Sequence, residues 1–348
     1  MYDKSVFIKS LIYTAVRLFP AAALICALSV ILVLSADETE RKKNEGGRNN
    51  ILKMSVVAYS DTPISEDGLR GIKDGLKENG YIQDRDYTLR EFNAQGDSGT
   101  LNSIIDAAAN SGYDLIFTIS TPSLQAALKK IKKTPIVFSS TGDPIGAGAG
   151  KNFNEHVENA TGICSISDFT GMVKLVKKIS PGVKKIGTVF CPAEINSVLY
   201  KDHLKEAAAA EGITLEAAAA NTAVEVVDAA NSLCSGRGVE IICQIADNLS
   251  ASSFSAIIKS AAGANIPVFG FIESNAKNGA VLSYSKDYYQ GGIDSARLAV
   301  RIIKGEKPAG IPFEYISKTT LVINKKAAAA AGVNIAETVL RSADLIIE

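Results

Sequence analysis

The residues best suited to hold a small charged molecule fall in four short clusters. They are Ser120-Thr121-Pro122-Ser123, Asp143 ahead of Pro144, Glu194-Ile195-Asn196-Ser197, and Asp247-Asn248. Each closes an apolar, β-branched run, and most are followed by helical periodicity. Free backbone N–H groups at a helix start, with the hydroxyls of Ser120, Thr121 and Ser123, suit a carboxylate. The carboxylates and amides of Glu194, Asn196, Ser197, Asp247 and Asn248 suit an ammonium group, because a buried charge requires a partner. Each cluster also has a plainer use. Ser120 could cap a helix, Asp143 could fix a turn, and Asp247 could cap the helix from Ser250 onward. Asn196 or Ser197 could cap the helix through Lys205, which accounts for one of that group but not all three. Ser60 and Glu273 complete the candidate set, each just after a predicted strand.

Catalytic signatures are missing. The chain has no GxxxxGK[ST], no HExxH and no GxSxG. Gly146-Ala147-Gly148-Ala149-Gly150 resembles a dinucleotide loop only superficially, since it follows Pro144 and opens no clear helix. No cofactor is expected. The histidines are His156 and His203, and no CxxC occurs, so a zinc site is not expected either. Cys164, Cys191, Cys234 and Cys243 read as free, half-buried thiols. These features describe a receptor that holds a molecule rather than an enzyme that transforms one.

The elements that must position these residues alternate strand and helix. Strands are predicted at 54–59, 87–92, 114–119 and 135–138, with helices at 66–79, 100–110 and 123–131. Ser65 is the expected N-cap of the first helix and Gly80 its stop. A Gly- and Asn-rich stretch, 146–162, then separates two halves. The second half repeats the scheme: helix 169–179, strand 185–190, helix 197–211, strand 214–217, helix 224–233, strand 239–245, helix 252–262 and strand 267–271. A strand at 280–284, a helix at 288–304, a strand at 318–323 and a short helix at 325–331 follow. Such alternation makes doubly wound parallel sheets, and ligands sit beyond the carboxyl ends of their strands. Two such lobes joined by several crossings make a hinged cleft.

Composition narrows the partners. The chain has 348 residues, 47% hydrophobic, with 37 basic and 37 acidic side chains. That neutral balance, with no Trp, argues against nucleic acid. Residues 18–35 form an uncharged apolar stretch between Arg17 and Asp37. Its length and flanks fit a signal peptide with basic Lys4, Lys9 and Arg17, an uncleaved membrane anchor, or a core helix that the polar run after it isolates. Residues 37–50 read as a flexible tether.

Several segments together resemble the ABC transporter substrate-binding family that includes tryptophan- and tyrosine-type binding proteins. They are GLRGIKDGLKENGY from Gly68, FNAQGD from Phe92, FTISTPSLQAA from Phe117, FSSTGDPIGAG from Phe138, NATGICSISDF from Asn159, CPAEINS from Cys191, ADN from Ala246, and the long run from Ser285 to Glu314. The resemblance covers nearly everything after Met54. It implies a type I periplasmic-binding-protein fold: two Rossmann-like α/β lobes with a multi-strand hinge, preceded by the N-terminal apolar helix. It implies residues 1–36 as signal peptide or anchor, 37–52 as linker, 53–162 with 279–317 as one lobe, and 163–278 with 318–348 as the other. It also implies an extracytoplasmic receptor for an amino acid or similar ligand, served by an ABC permease and ATPase, with the membrane reached through the N-terminus. The family's strand-end motifs fall on Thr121, Asp143, Glu194, Asn196, Ser197, Asp247 and Asn248. One departure stands at Ser60-Asp61-Thr62-Pro63, where members often carry His-Pro, and it leaves aromatic specificity open. A membrane-tethered sensor reporting to a partner protein is the alternative. A DNA-binding repressor would need a helix-turn-helix where the apolar run stands.

Overall fold

The computed structural model describes residues 51–348. The apolar stretch 18–35 and the polar run 37–50 lie outside the described residues. Among the described residues no helix is long and apolar enough to cross a membrane.

The first lobe is built from β1 (Leu52–Ala58), α1 (Pro63–Glu78), β2 (Tyr87–Asn93), α2 (Ser98–Asn110), β3 (Leu115–Ile119), α3 (Thr121–Lys130), β4 (Ile136–Thr141) and β5 (Ala160–Cys164). The second holds α4 (Phe169–Ile179), β6 (Lys185–Phe190), α5 (Ile195–Ala210), β7 (Thr214–Ala219), α6 (Ala223–Cys234), β8 (Ile241–Gln244), α7 (Asn248–Ser252), α8 (Phe254–Gly263), β9 (Val268–Gly270), α9 (Glu273–Lys277) and β10 (Leu282–Lys286). The chain then returns through α10 (Tyr288–Ile303) and β11 (Glu314–Tyr315). It crosses again to β12 (Thr319–Asn324), α11 (Lys325–Ala330), α12 (Glu337–Leu340) and β13 (Leu345–Ile347). The sheet orders are β11-β5-β4-β3-β1-β2 and β13-β12-β10-β9-β8-β6-β7. Among the described strands only β10 and β12 pair antiparallel. Strands β3, β4 and β5 are buried along their whole length, as parallel strands covered on both faces must be.

The local differences from the sequence reading have identifiable causes. The first helix starts at Pro63, not Glu66. Thr62 is its cap, and Ser65 instead closes a capping box, with Ser65 N to Thr62 Oγ1 at 3.2 Å and Thr62 N to Ser65 Oγ at 2.9 Å. Proline at the first position loses no helical hydrogen bond, so it extends the helix by a turn. The predicted separator at 146–162 runs into a fifth strand, whose Ala-Thr-Gly start shows no apolar alternation. Gly162 is needed there because a side chain would meet Phe138 Cδ2 at 2.6 Å. The helix expected at 252–262 is two helices broken at Ser253. The sequence reading places residues 279–317 in one lobe as a block. Leu282 pairs with Phe269 in the second sheet, so the return crossing comes at Asp287.

Three crossings join the lobes, at 165–168, at 287 and at 316–318, and hydrogen bonds tie them together. Ser165 N donates to Thr141 O (2.9 Å), Ile316 N to Cys164 O (3.1 Å) and Asp287 N to Lys318 O (3.0 Å). Buried Asp294 accepts from Ser317 N (3.2 Å) and Ser317 Oγ (2.9 Å).

Helix α10 is clamped to α1 through glycines. A Cβ on Gly71 would overlap the Tyr289 carbonyl oxygen and meet Gly292 Cα at 3.0 Å, and one on Gly292 would overlap the Gly68 carbonyl. Gly71→Ala or Gly292→Ala is expected to destabilise the protein by about 1–3 kcal/mol through overpacking. A lowered calorimetric melting temperature with unchanged far-UV circular dichroism checks this.

Candidate functional site

The carboxyl edge of the first sheet presents a row of hydroxyls. Strand β1 ends at Tyr59-Ser60, β3 at Ser120, and β4 at Ser139-Ser140-Thr141. The side-chain oxygens of Ser60, Ser120, Ser123, Ser139 and Ser140 are buried and have no hydrogen-bond partner. Unmade bonds of this kind cost about 1–3 kcal/mol each, and Ser55 and Thr118 inside β1 and β3 share the condition. Ser120 and Ser140 also adopt positive φ, +87° and +50°. Ser120, with ψ 157°, occupies a region normally reserved for glycine, and strain of this kind gathers at binding sites. It joins β3 directly to α3 and makes no side-chain cap, so its hydroxyl stays unused at the helix N-terminus. Pro122 lacks an N–H, and the first amides of α3 have no carbonyl one turn back. Thr121 is spent differently: its Oγ1 accepts from Gly142 N (3.2 Å) and Asp143 N (3.4 Å), fixing the loop after β4. Asp143 proves to be a turn residue, with Oδ1 accepting from Gly146 N at 2.7 Å.

The facing edge of the second sheet carries acid. Glu194 and Asp247 are 4% and 0% exposed. Glu194 accepts from Asn248 N (3.0 Å), Asn248 Nδ2 (2.6 Å) and Leu249 N (3.0 Å), across the start of α7. Asp247 caps the same helix, accepting from Ser250 N (2.7 Å) and the Ser250 hydroxyl, and Ser197 Oγ donates to its other oxygen. Ser197 in turn accepts from Cys191 N at 2.8 Å. Asn196 Oδ1 is buried with no partner. Among the described residues neither carboxylate forms a salt bridge. Burial, and then the Asp247 charge, push Glu194 up to about 7 against the opposing effect of its Asn248 and Leu249 bonds. Burial likewise raises Asp247.

The two edges meet. Burial, and then the nearness of Glu194 in the second lobe, raise the Tyr59 hydroxyl of the first above its ordinary value. Tyr200 of α5 is buried against Gly142. Of the sequence candidates, the structure gathers Glu194, Ser197, Asp247 and Asn248 into one network with Asn196 beside it, and sets Ser60, Ser120 and Ser123 on the strand ends of the other lobe. Glu273 stands apart. It pairs with Lys277 at 2.8 Å and lines a groove of about 430 Å³ with Glu66, Asp67 and Arg70 of α1. Sequence reasoning missed Tyr59, Ser140 and Tyr200. Ser140 belonged to a strand end already noticed, but its backbone strain leaves no trace in composition. Tyr200 sits in a helix whose face pattern marks it only as core.

Residues 53–347 match the model of the family described as ABC transporter substrate binding protein. The chain belongs to this family. It is 28% identical over 304 residues to a tyrosine-binding protein of Clostridioides difficile, covering 86% of this chain and 88% of that one. Among solved structures, a conserved domain protein of Vibrio cholerae is 33% identical, with a TM-score of 0.83 over 85% of this chain and all of that one. An ABC domain from Streptococcus pneumoniae in complex with L-Trp is 29% identical, with a TM-score of 0.82 over 86% of this chain and all of that one. The ligand-free, open structure of a C. difficile substrate-binding protein is 27% identical and covers 85% and 99%, yet its TM-score is 0.66. An arabinose-binding protein of Geobacillus stearothermophilus, 15% identical with a TM-score of 0.59, shares the two-lobed fold.

The raised Glu194 has a pH signature. The folded protein holds this proton more tightly than the unfolded chain, so its contribution is fully favourable only below the ordinary value of 4.5. Stability is expected to fall as pH rises from about 4.5 through about 7, and Asp247 acts in the same direction. Glu194→Gln should flatten this slope, by on the order of 1–3 kcal/mol across the window. Urea denaturation at a series of pH values checks it.

Proposed function

We propose that this substrate-binding protein is the extracytoplasmic receptor of an ABC importer and closes around an amino acid or a close analogue. The observation that carries the reading is the buried Glu194–Asp247 pair, which among the described residues has no cation of its own, while the strand ends of the other lobe carry buried hydroxyls without partners. An α-amino acid supplies both missing charges. Its ammonium group meets the acid side, with Asn196, Ser197 and Asn248 completing the shell. Its carboxylate meets Ser60, Ser120, Ser123 and the amides opening α3. The tyrosine-binding and L-Trp-bound relatives support this ligand class. Glu273 belongs to the groove it shares with Glu66, Asp67 and Arg70.

No step here changes a covalent bond. The ligand bridges the lobes and stabilises whichever arrangement it touches from both sides, because only differential affinity shifts such an equilibrium. The higher TM-score with the L-Trp complex than with the open, ligand-free relative, at nearly equal identity, supports a closed arrangement in the structure described. A permease and its ATPase are the partners that would take the ligand onward. The apolar stretch 18–35 supports export or anchoring at the membrane.

Titration calorimetry of the full chain with L-tyrosine, L-tryptophan and the other amino acids tests the reading. At least one is expected to bind, and its N-acetyl derivative at least about tenfold more weakly. Near pH 6 binding should release protons, read from buffers of different ionisation heat, as the ammonium group displaces the proton held by Glu194. Asp247→Asn should weaken the same ligand by about 2–4 kcal/mol. No heat and no thermal shift with any amino acid would remove the ligand class.

A further inference from the structure

We propose that Tyr200 and Gly142 form the seat on which the two lobes close, and that the bare backbone at Gly142 sets how far they close. The inference rests on the reading of this cleft as one that opens and shuts. Gly142 follows β4 in the first lobe, and Tyr200 lies on α5 in the second. A Cβ built on Gly142 would overlap the Tyr200 hydroxyl and ring outright, with Cε1 at 2.7 Å. Gly142 has no positive φ, so its backbone makes no demand for glycine, and the demand comes from the other lobe.

Gly142 is held by its own lobe, and the Tyr200 ring by its own, with the Tyr200 hydroxyl beside Ser165 at the first crossing. Gly142 N donates to Thr121 Oγ1 at 3.2 Å, and the Cys164 thiol donates to Gly142 O at 3.6 Å. Tyr200 is 2% exposed and packs on Phe169, ring centroids 5.5 Å apart, which itself packs on Phe271 at 5.0 Å. Neither side can yield by moving the end of a flexible chain. A methyl group at Gly142 therefore acts on the distance between lobes rather than on the fold of either. Thr121, which holds Gly142, also opens the helix whose amides face the ligand, so the depth of closure and the placement of that helix are set together. Gly142 and Tyr200 are in this sense positioning residues: they touch each other, and the site follows.

Hydrogen–deuterium exchange on the full chain, read by mass spectrometry, tests this without a ligand. Gly142→Ala is expected to speed exchange at 118–124 and 194–198, in both lobes, by at least about tenfold. Peptides from the outer helices α2 and α6 should exchange as in the parent protein, which separates opening from unfolding. Gly142→Ala combined with Tyr200→Leu, which shortens the opposing side chain, should return the cleft segments toward the parent rate. Parent-like exchange at both cleft segments in Gly142→Ala would overturn the proposal. Faster exchange confined to the first lobe, or no rescue by the second substitution, would also overturn it. If amino acids fail to bind but this pattern holds, the ligand assignment falls and the seat stands.

Discussion

Glu194 and Asp247 share one buried volume with no cation beside them, and much of the local structure exists to make that tolerable. Removing a carboxylate from water costs several kcal/mol even after relaxation. Here the compensation is assembled from a helix start. The amides of Asn248, Leu249 and Ser250, the Asn248 side chain and two serine hydroxyls all point at the pair. Those donors lessen the burden without cancelling it, since both groups still lie above their ordinary values.

The opposite edge is frustrated in a complementary way. It carries hydroxyls left without partners and two serines held at positive φ, with Asp143 turned into its own loop. Each lobe is thus incomplete at the edge where it faces the other. The three crossings keep those edges in register, while their hydrogen bonds, including the Asp294–Ser317 pair, confine any hinge to a few residues. The glycine-lined contact between α1 and α10 brings those two helices backbone to backbone within the first lobe.

How much of this was legible depends on the range of the cause. Helix Phe169–Ile179 and strand Lys185–Phe190 stand where periodicity put them, because apolar patterning is local information. Strand β5 escaped notice, since its small residues answer to Phe138 on a neighbouring strand. The return crossing was misplaced for a related reason: β10 looks like any strand until its partners β9 and β12 are known. In the site, the types were readable and the roles were not. Asp143 closes its own turn, Thr121 holds the loop after β4 from the start of α3, and Asp247 is cap and acid at once. Nothing in sequence marks Ser120 as strained or sets Tyr200 against Gly142.

The buried cysteines have a consequence for chemical durability. Burial raises the thiols of Cys164 and Cys243 to about 12 and that of Cys191 to about 11, the last with help from the Glu194 charge. The thiolate is the nucleophile in exchange and oxidation, so these sulfurs are slow to react on two counts: they are rarely ionised and are sealed from reagents. The packing around these three sulfurs thus keeps them out of thiol exchange, a protection that half-exposed Cys234 lacks.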